Sequence, residues 1–191
     1  QALTQLNINP DLPDPTIEKL LNESSAKSME ELYADIGIGK RVAALVARKL
    51  VVVDAPIEAA WRVLADIPLQ PLWMHEMKEV RLTTPGPTRV GTRGEATVRI
   101  FGVSVTDPVE VVELEPPTRF AIRHEGLFTG GGVITLEPGA DGTTTIVRWE
   151  ETLIPPLLPD LGALLQGPVL REIFQADLHR FRQLVETGSL D

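Results

Sequence analysis

Two side chains of this 191-residue sequence have a type and a setting that suit acid–base chemistry, His124 and Glu151. His124 alternates with Phe120 and Ile122 in a strand-like run, so a strand that buries Phe120 also turns the imidazole inward. A neutral imidazole can donate or accept one hydrogen bond to a ligand, and it titrates near neutral pH. The alternative is a histidine at a strand end, close to solvent.

Glu151 shares one face of a second strand-like run with Val147 and Trp149. A carboxyl group that faces an apolar cavity can work as an acid or a base, as ring-closing chemistry requires. The alternative is a carboxylate at the end of the sheet, in water. His124 and Glu151 are therefore the two candidate catalytic residues, and the catalytic role itself stays open.

The other histidines give no sign of a metal site. His75 follows Trp73 in a turn-like segment, and His179 lies in the last predicted helix. The three histidines show no HxH or HxxxH spacing, and the chain contains no cysteine. We therefore expect neither a metal ion nor another cofactor.

The candidate ligand-binding residues are mostly aromatic side chains of the predicted strands and helices. They compete with a simpler interpretation, because the chain has only three Trp, five Phe and one Tyr, and these rings could simply fill the core. The predicted set is Trp73, Phe101, His124, Phe128, Trp149 and Phe174.

Composition and charge exclude several classes of function. With 27 acidic and 18 basic residues the net charge is -9, which lacks the basic footprint of a nucleic-acid-binding protein. No apolar run approaches the roughly 20 residues of a membrane span, so we predict no membrane insertion. The absence of cysteine excludes a disulfide scaffold and fits a cytoplasmic location.

The first part of the chain, up to about residue 50, predicts short helices. Asp14 and Pro15 form a helix start, and Ser28 with Glu31 forms a capping box. Residues 28–41 (SMEELYADIGIGKR) resemble the helical region downstream of the TGS domain in the long RelA/SpoT alarmone enzymes. The hydrolase and synthetase motifs of that family are absent, so the resemblance implies a regulatory or interaction segment without alarmone chemistry.

Residues 51–191 predict an antiparallel sheet with a long final helix. Alternating apolar runs are separated by Pro- and Gly-rich turns, which join neighbouring strands without a crossover. Only the last helix is long enough to cover one face of such a sheet. The predicted order is a strand from about residue 47, a helix from residue 57, a short helix or turn over 69–77, strands over 79–83, 94–101, 103–114, 119–125, 128–136 and 143–153, and a helix to residue 186 that is broken at Gly167-Pro168.

Two details of this prediction have alternatives. The first strand competes with a helix that extends to Leu50, and we favour the strand because sheet pairing is the stronger interaction. The run from Gly130 to Gly132 permits a sharp bend of the sheet or the close approach of a helix or a ligand, and we favour the bend.

A second resemblance covers about three quarters of the chain. Residues 52–64 (VVDAPIEAAWRVL), 90–94 (VGTRG) and 111–120 (VVELEPPTRF) resemble the START-like (SRPBCC) superfamily, and its polyketide cyclase/dehydrase and lipid-transport branch in particular. The resemblance implies an α+β helix-grip fold, in which a curved antiparallel sheet wraps around a long C-terminal helix and encloses a hydrophobic ligand cavity. It supplies no shared catalytic motif.

The expected organisation is thus a helical RelA/SpoT-like extension over residues 1–46, which is natural or a fusion, and a START-like ligand-binding domain over 47–191. The expected function is the binding or transport of a small hydrophobic molecule without assured catalysis. One alternative is a polyketide cyclase/aromatase-like enzyme that uses His124 or Glu151. Another is a regulatory module that binds a protein partner through residues 1–46.

Overall fold

The computed structural model describes residues 45–100, 103–154 and 159–189. Its main element is one sheet of seven antiparallel strands in the order β1-β7-β6-β5-β4-β3-β2. The strands are β1 Leu45–Val53, β2 Met77–Leu82, β3 Arg93–Ile100, β4 Val103–Glu115, β5 Arg119–Glu125, β6 Thr129–Pro138 and β7 Thr145–Ile154.

Each strand from β2 to β6 pairs with the next one along the chain, and β1 pairs with β7. The six predicted strands of this meander are confirmed, with ends that differ by a few residues. Irregular pairing between Met77 and Glu79 in β2, and between Val111 and Glu113 in β4, adds curvature to the sheet.

The first strand begins at Leu45, so the expectation of a strand in place of a helix before Leu50 is confirmed. Nine residues of β1 pair with β7, from Leu45 opposite Leu153 to Val53 opposite Thr145. The ladder of hydrogen bonds and the burial of Ala47 and Val51 favour the extended conformation over a helix. Residues 1–44, which make up nearly all of the predicted helical extension, lie outside the part of the chain that the structure describes.

The helices are α1 Ile57–Ala65, a 3-10 turn Ile67–Leu69, α2 Gln70–Trp73 and α3 Pro159–Thr187. The carbonyl of Pro56 accepts the first hydrogen bonds of α1, and Glu58 lies in its first turn, where a negative charge is favoured. α3 packs against β1, α1 and α2.

The prediction that the last helix breaks at Gly167-Pro168 is wrong, because α3 is continuous from Pro159 to Thr187. A proline inside a helix removes one backbone hydrogen bond and introduces a bend, which the turns on either side can tolerate when packing anchors them. Phe174, Leu178 and Phe181 are buried and anchor the C-terminal half of α3.

The core lies between the concave face of the sheet and α3, and its centre is aromatic. The ring of Trp73 meets Trp149 edge-on at 5.9 Å between centroids and Phe181 at 5.2 Å, and Trp149 lies 4.8 Å from Phe174. Edge-to-face pairs of this kind stabilise a core beyond the burial of apolar area alone. This arrangement is the α+β helix-grip fold that the sequence predicts.

Candidate ligand cavity

A cavity of about 110 Å³ lies between the sheet, the segment from Ile67 to Met77 and α3. Most of its wall is apolar, and the residues that supply it include Met74, Val98 and Phe174. An apolar cavity of about 150 Å³ holds a benzene molecule, so the space suits a ligand of roughly one ring unless side chains move.

His124 reaches this cavity because of its place in β5. It pairs with Val109 of β4 and Gly130 of β6, and it follows the buried Phe120 at an interval of four residues. The side chain lines the cavity and is 20% exposed. The structure therefore confirms the prediction that the His124 side chain points inward.

His124 and Glu151 form a hydrogen-bonded pair at the cavity wall. The Nε2 atom of His124 lies 2.9 Å from Oε1 of Glu151, and the indole N–H of Trp149 donates to Oε2 of the same carboxylate at 2.9 Å. Glu151 is 4% exposed, so both oxygens of a buried carboxylate have a partner. A carboxylate only accepts, which places a proton on Nε2 of His124 and leaves Nδ1 without a hydrogen bond to any described residue.

Gly132 makes this pair feasible, because His124 and Glu151 lie on strands that β6 separates. Gly132 pairs with Ile122 on one side and with Glu151 on the other. A Cβ atom at Gly132 would lie 2.2 Å from Oε2 of Glu151 and 3.3 Å from the indole nitrogen of Trp149. The missing side chain lets the carboxylate cross β6 to the imidazole.

The glycine run therefore has two roles. Gly130 adopts a φ of +135° and its Cβ would lie 2.0 Å from the carbonyl oxygen of Thr152, which fits the predicted bend. Gly132 accommodates a side chain of the neighbouring strand, a role that the sequence analysis missed. The signal for it was present, since Glu151 and the glycines share one sheet, but the register that joins them was not predictable.

Opposing effects act on the pKa of His124. Burial lowers it, but the hydrogen bond to Glu151, the charge of Glu151 and the charge of Asp107 raise it, and the resulting pKa lies above the usual 6.5. The neutral form accepts a hydrogen bond at Nδ1 and the protonated form donates one there.

Asp107 is a further cavity residue that the sequence analysis missed. It lies in β4 and its carboxylate accepts the backbone N–H groups of Leu127 at 2.7 Å and Phe128 at 3.1 Å. It thereby holds the turn between β5 and β6, where a Cβ at Gly126 would lie 2.1 Å from Oδ1 of Asp107. Phe128 is placed against the cavity by this contact.

A second pair of acidic side chains lies where α3 meets the cavity. Asp177 is fully buried, its Oδ1 accepts the backbone N–H of His75 at 2.9 Å, and Glu76 beside it lines the cavity. Burial and the charge of Glu76 raise the pKa of Asp177 to about 8, against the opposing effects of the His75 N–H and Arg180. Asp177 therefore keeps its proton at neutral pH and can donate it in a hydrogen bond to Glu76, while the buried Oδ2 of Asp177 and Oε2 of Glu76 have no other donor in the described ranges.

The sequence analysis did not identify Asp177 as a site residue, although the sequence contains one signal for it. Asp177 lies on the apolar stripe of the last helix, three residues after Phe174 and four before Phe181, where a charged residue is unusual.

The cavity described above is lined by five of the predicted site residues: His124, Phe128, Trp149, Glu151 and Phe174. Trp73 is instead buried in the core behind Trp149 and does not belong to the lining. Phe101 lies outside the described residues. That any of them binds a ligand or catalyses a reaction stays a prediction.

The two other histidines lie away from the His124–Glu151 pair. His75 is exposed and takes part through its backbone N–H, and His179 of α3 contacts Gln175. Within residues 45–100, 103–154 and 159–189, no group of three or more acidic or histidine side chains is arranged to hold a metal ion. None of the helices in that part of the chain is long and apolar enough to cross a membrane.

An antiparallel sheet curled around a long C-terminal helix, with an apolar cavity between them, is the architecture of the START-like, helix-grip proteins. Residues 45–186 match the family described as polyketide cyclase/dehydrase and lipid transport, and the chain belongs to that family. Among curated protein sequences, none matches it.

Solved structures share this fold at low sequence identity. A Thermus thermophilus protein has a TM-score of 0.62 at 20% identity, over 76% of this chain and 99% of its own. A Deinococcus radiodurans protein has a TM-score of 0.59 at 24% identity, over 75% and 98%. The Zhui aromatase/cyclase from Streptomyces sp. R1128 has a TM-score of 0.58 at 19% identity, over 75% and 94%.

Proposed function

We propose that the protein binds a small, largely apolar molecule in the cavity and orients it through His124. The observation that carries this proposal is the His124–Glu151 pair, a paired polar group in an otherwise mostly apolar wall, whose Nδ1 has no partner in the described chain. Apolar walls supply affinity at about 25 cal/mol per Å² of buried apolar area, and a few placed polar groups supply orientation. A ligand oxygen that meets Nδ1 would be held in one position.

The test compares ligands with and without an oxygen atom. Phenol and toluene have the same size, and binding of each is followed by calorimetry and by the fluorescence of Trp149, which lines the cavity. We expect His124→Gln to weaken phenol binding by roughly three- to tenfold, the value of one hydrogen bond, with little change for toluene. His75→Gln, which alters an exposed histidine, is the matched control.

Equal loss of phenol and toluene affinity in the His124 variant would contradict the orienting role. Native mass spectrometry of freshly purified protein tests the broader proposal, because a bound natural ligand would appear as an added mass. Failure of every small aromatic molecule to bind would argue against a ligand-binding function.

A second candidate function is acid–base catalysis of the kind that ring-closing enzymes perform. The pair supports it chemically: Nδ1 of neutral His124 can remove a proton from a carbon next to a ligand carbonyl, and the Glu151 carboxylate stabilises the imidazolium that results. The similarity in fold to a protein named aromatase/cyclase is compatible with this reaction class.

Hydrogen–deuterium exchange in the ligand distinguishes the catalytic function from simple ligand binding. A bound aryl ketone should exchange its α-hydrogens in deuterated water when the wild-type protein is present, and Glu151→Gln should abolish that exchange while it retains ketone binding. Binding without exchange in the wild type would assign the protein to the non-catalytic alternative.

The remaining parts of the proposal concern transport and the N-terminal segment. A carrier of this kind in the cytoplasm fits the composition without cysteine. A regulatory role of residues 1–46 rests on the RelA/SpoT resemblance alone. Deletion of residues 1–44, which leaves β1 intact, followed by affinity capture with the full chain and the truncated chain in parallel, tests whether this segment binds a partner.

A further inference from the structure

Gln70 is a polar side chain at the cavity wall that has no side-chain partner among the described residues. It lies in α2, it is only 4% exposed, and it lines the cavity. Its side-chain amide makes no hydrogen bond to any of the described residues, although its backbone N–H and carbonyl are both used in the turns on either side. An amide of a largely buried residue is costly unless water or a ligand satisfies it, and because Gln70 lines the cavity, the contents of the cavity are in a position to do so.

Glu76 belongs to the same segment between α1 and β2 and also lines the cavity. The proton of Asp177 can be donated to the buried Oε2 of Glu76, and the group keeps acceptor capacity because a carboxylate has several lone pairs. Gln70 and Glu76 together offer N–H donors and oxygen acceptors. A hydroxyl group matches this set because it donates one hydrogen bond and accepts others.

The charged groups of the cavity wall are all acidic apart from His124. The described lining includes four carboxylates and neither lysine nor arginine: Glu76, Asp107, Glu110 and Glu151. Glu110 pairs with Arg93 and Arg123, while Asp107 and Glu151 have the partners given above. Apart from the His124 imidazole, which is already paired with Glu151, the described lining has no cationic group to neutralise a ligand carboxylate, so an anionic ligand would be buried beside several like charges.

We propose that the cavity selects neutral ligands with two polar groups, one of which bonds to His124 while the other, a hydroxyl, bonds to Gln70 and Glu76. Gln70 is then a specificity-determining residue, and carboxylate-bearing molecules such as fatty acids are rejected. The inference rests on the proposed ligand-binding function and adds the chemical class of the ligand.

Three phenols of similar shape test this selection by calorimetric titration. They are 4-propylphenol, 4-(2-hydroxyethyl)phenol and 4-hydroxyphenylacetate, which end in a methyl, a hydroxyl and a carboxylate group. We expect the wild type to bind the alcohol at least as tightly as the propyl compound, although the alcohol is the more hydrophilic of the two, and to bind the carboxylate at least roughly tenfold more weakly than the alcohol.

Variants at Gln70 and Glu76 test whether these two side chains contact the ligand hydroxyl. Gln70→Met replaces the amide by an apolar group on a side chain of similar shape. We expect the affinity for the alcohol to fall by roughly three- to tenfold, while the affinity for the propyl compound stays the same. Gln183→Met in α3 makes the same change away from the cavity and is the control. Glu76→Gln removes a negative charge and should therefore reduce the difference in affinity between the carboxylate compound and the alcohol.

A spectroscopic measurement keeps the test independent of variant stability. In the wild-type protein, the side-chain N–H resonances of Gln70 should shift when the alcohol binds and shift much less with the propyl compound. The inference is overturned if the alcohol shows neither this shift nor sensitivity to Gln70→Met, or if the carboxylate binds as tightly as the alcohol. If none of the three phenols binds the wild type, the proposed function fails together with this inference, whereas binding that responds to His124→Gln but not to Gln70→Met overturns the inference alone.

Discussion

Single residues of this protein owe their chemistry to partners that are far away in sequence. His124 and Glu151 are 27 residues apart and meet across β6, and Asp177 meets Glu76 from a different element. In both pairs, burial and a neighbouring charge decide the protonation state, and the residue type alone does not. Two variants test these environments directly.

The first residue-scale prediction concerns Asp177. Its pKa is about 8 in the folded protein against 3.8 for the ordinary group, so between these values the folded protein binds more protons than the unfolded chain. The contribution of Asp177 to the free energy of unfolding therefore falls as pH rises from about 4 to about 8. Asp177→Asn, which resembles the protonated acid, should stabilise the protein by about 1–3 kcal/mol at pH 8 and make stability less dependent on pH.

Urea denaturation at a series of pH values measures this effect. Asp66→Asn, at an exposed position, is the control and should leave the dependence on pH unchanged. An Asp177→Asn variant that is less stable than the wild type at pH 8 would show that the carboxyl pair does not carry the shared proton.

The second residue-scale prediction concerns Gly132. Gly132→Ala places a methyl group where the Glu151 carboxylate lies, so the carboxylate must move away from the imidazole. We expect the pKa of His124 to fall below its wild-type value, because burial remains while the hydrogen bond and charge that raise the pKa are lost. Titration of the His124 ring protons by NMR measures the change.

Glu151→Gln provides the comparison without steric strain and should lower the pKa of His124 in the same direction. If Gly132→Ala leaves the His124 titration unchanged, the carboxylate reaches the imidazole by another path and Gly132 is not a positioning residue.

At the scale of elements, local pattern predicted most of what the structure contains. Alternation of apolar residues and Pro/Gly turns identified all six strands from β2 to β7, and the helix predicted from residue 57 is α1. These signals are local because they depend on side-chain period and turn conformation. The break predicted at Gly167-Pro168 failed because the continuity of α3 depends on packing, which the local sequence does not contain.

The element-scale prediction concerns the anchoring of α3. Phe181 is 1% exposed and packs edge-on against Trp73, so Phe181→Ala should lower the free energy of unfolding by about 3–5 kcal/mol. The neighbouring Arg182→Ala, whose ion pair with Glu186 is partly exposed, should cost at most about 1 kcal/mol. Chemical denaturation of both variants measures the difference, and similar losses would mean that α3 is not held by its apolar stripe.

For the whole molecule, the net charge of -9 and the acidic cavity wall act in the same direction. Both disfavour anionic ligands, the first through the field around the protein and the second through direct repulsion in the cavity. A neutral ligand escapes both effects, so its binding should depend little on ionic strength.

The molecule-scale prediction follows from linkage. A neutral phenol that binds only the folded state should stabilise the protein by about 2.7 kcal/mol at one hundred times its dissociation constant. Thermal unfolding at low and high salt measures this, and the stabilisation should be nearly the same in both. A stabilisation that disappears at high salt would indicate surface binding through charge in place of binding in the cavity.

By itself, the sequence determined the fold class, the strand meander, and the inward orientation of His124 and Glu151. Each of these depends on side-chain period, turn chemistry or composition, which neighbouring residues specify. Only the tertiary structure decided that the His124 and Glu151 side chains touch, that Gly132 makes room for the contact, that Trp73 lies behind the cavity, and that Gln70 has no side-chain partner among the described residues. The first two depend on strand register, because a shift of one residue in the pairing would turn the strand side chains to the other face. The other two depend on how α2 packs against distant segments of the chain.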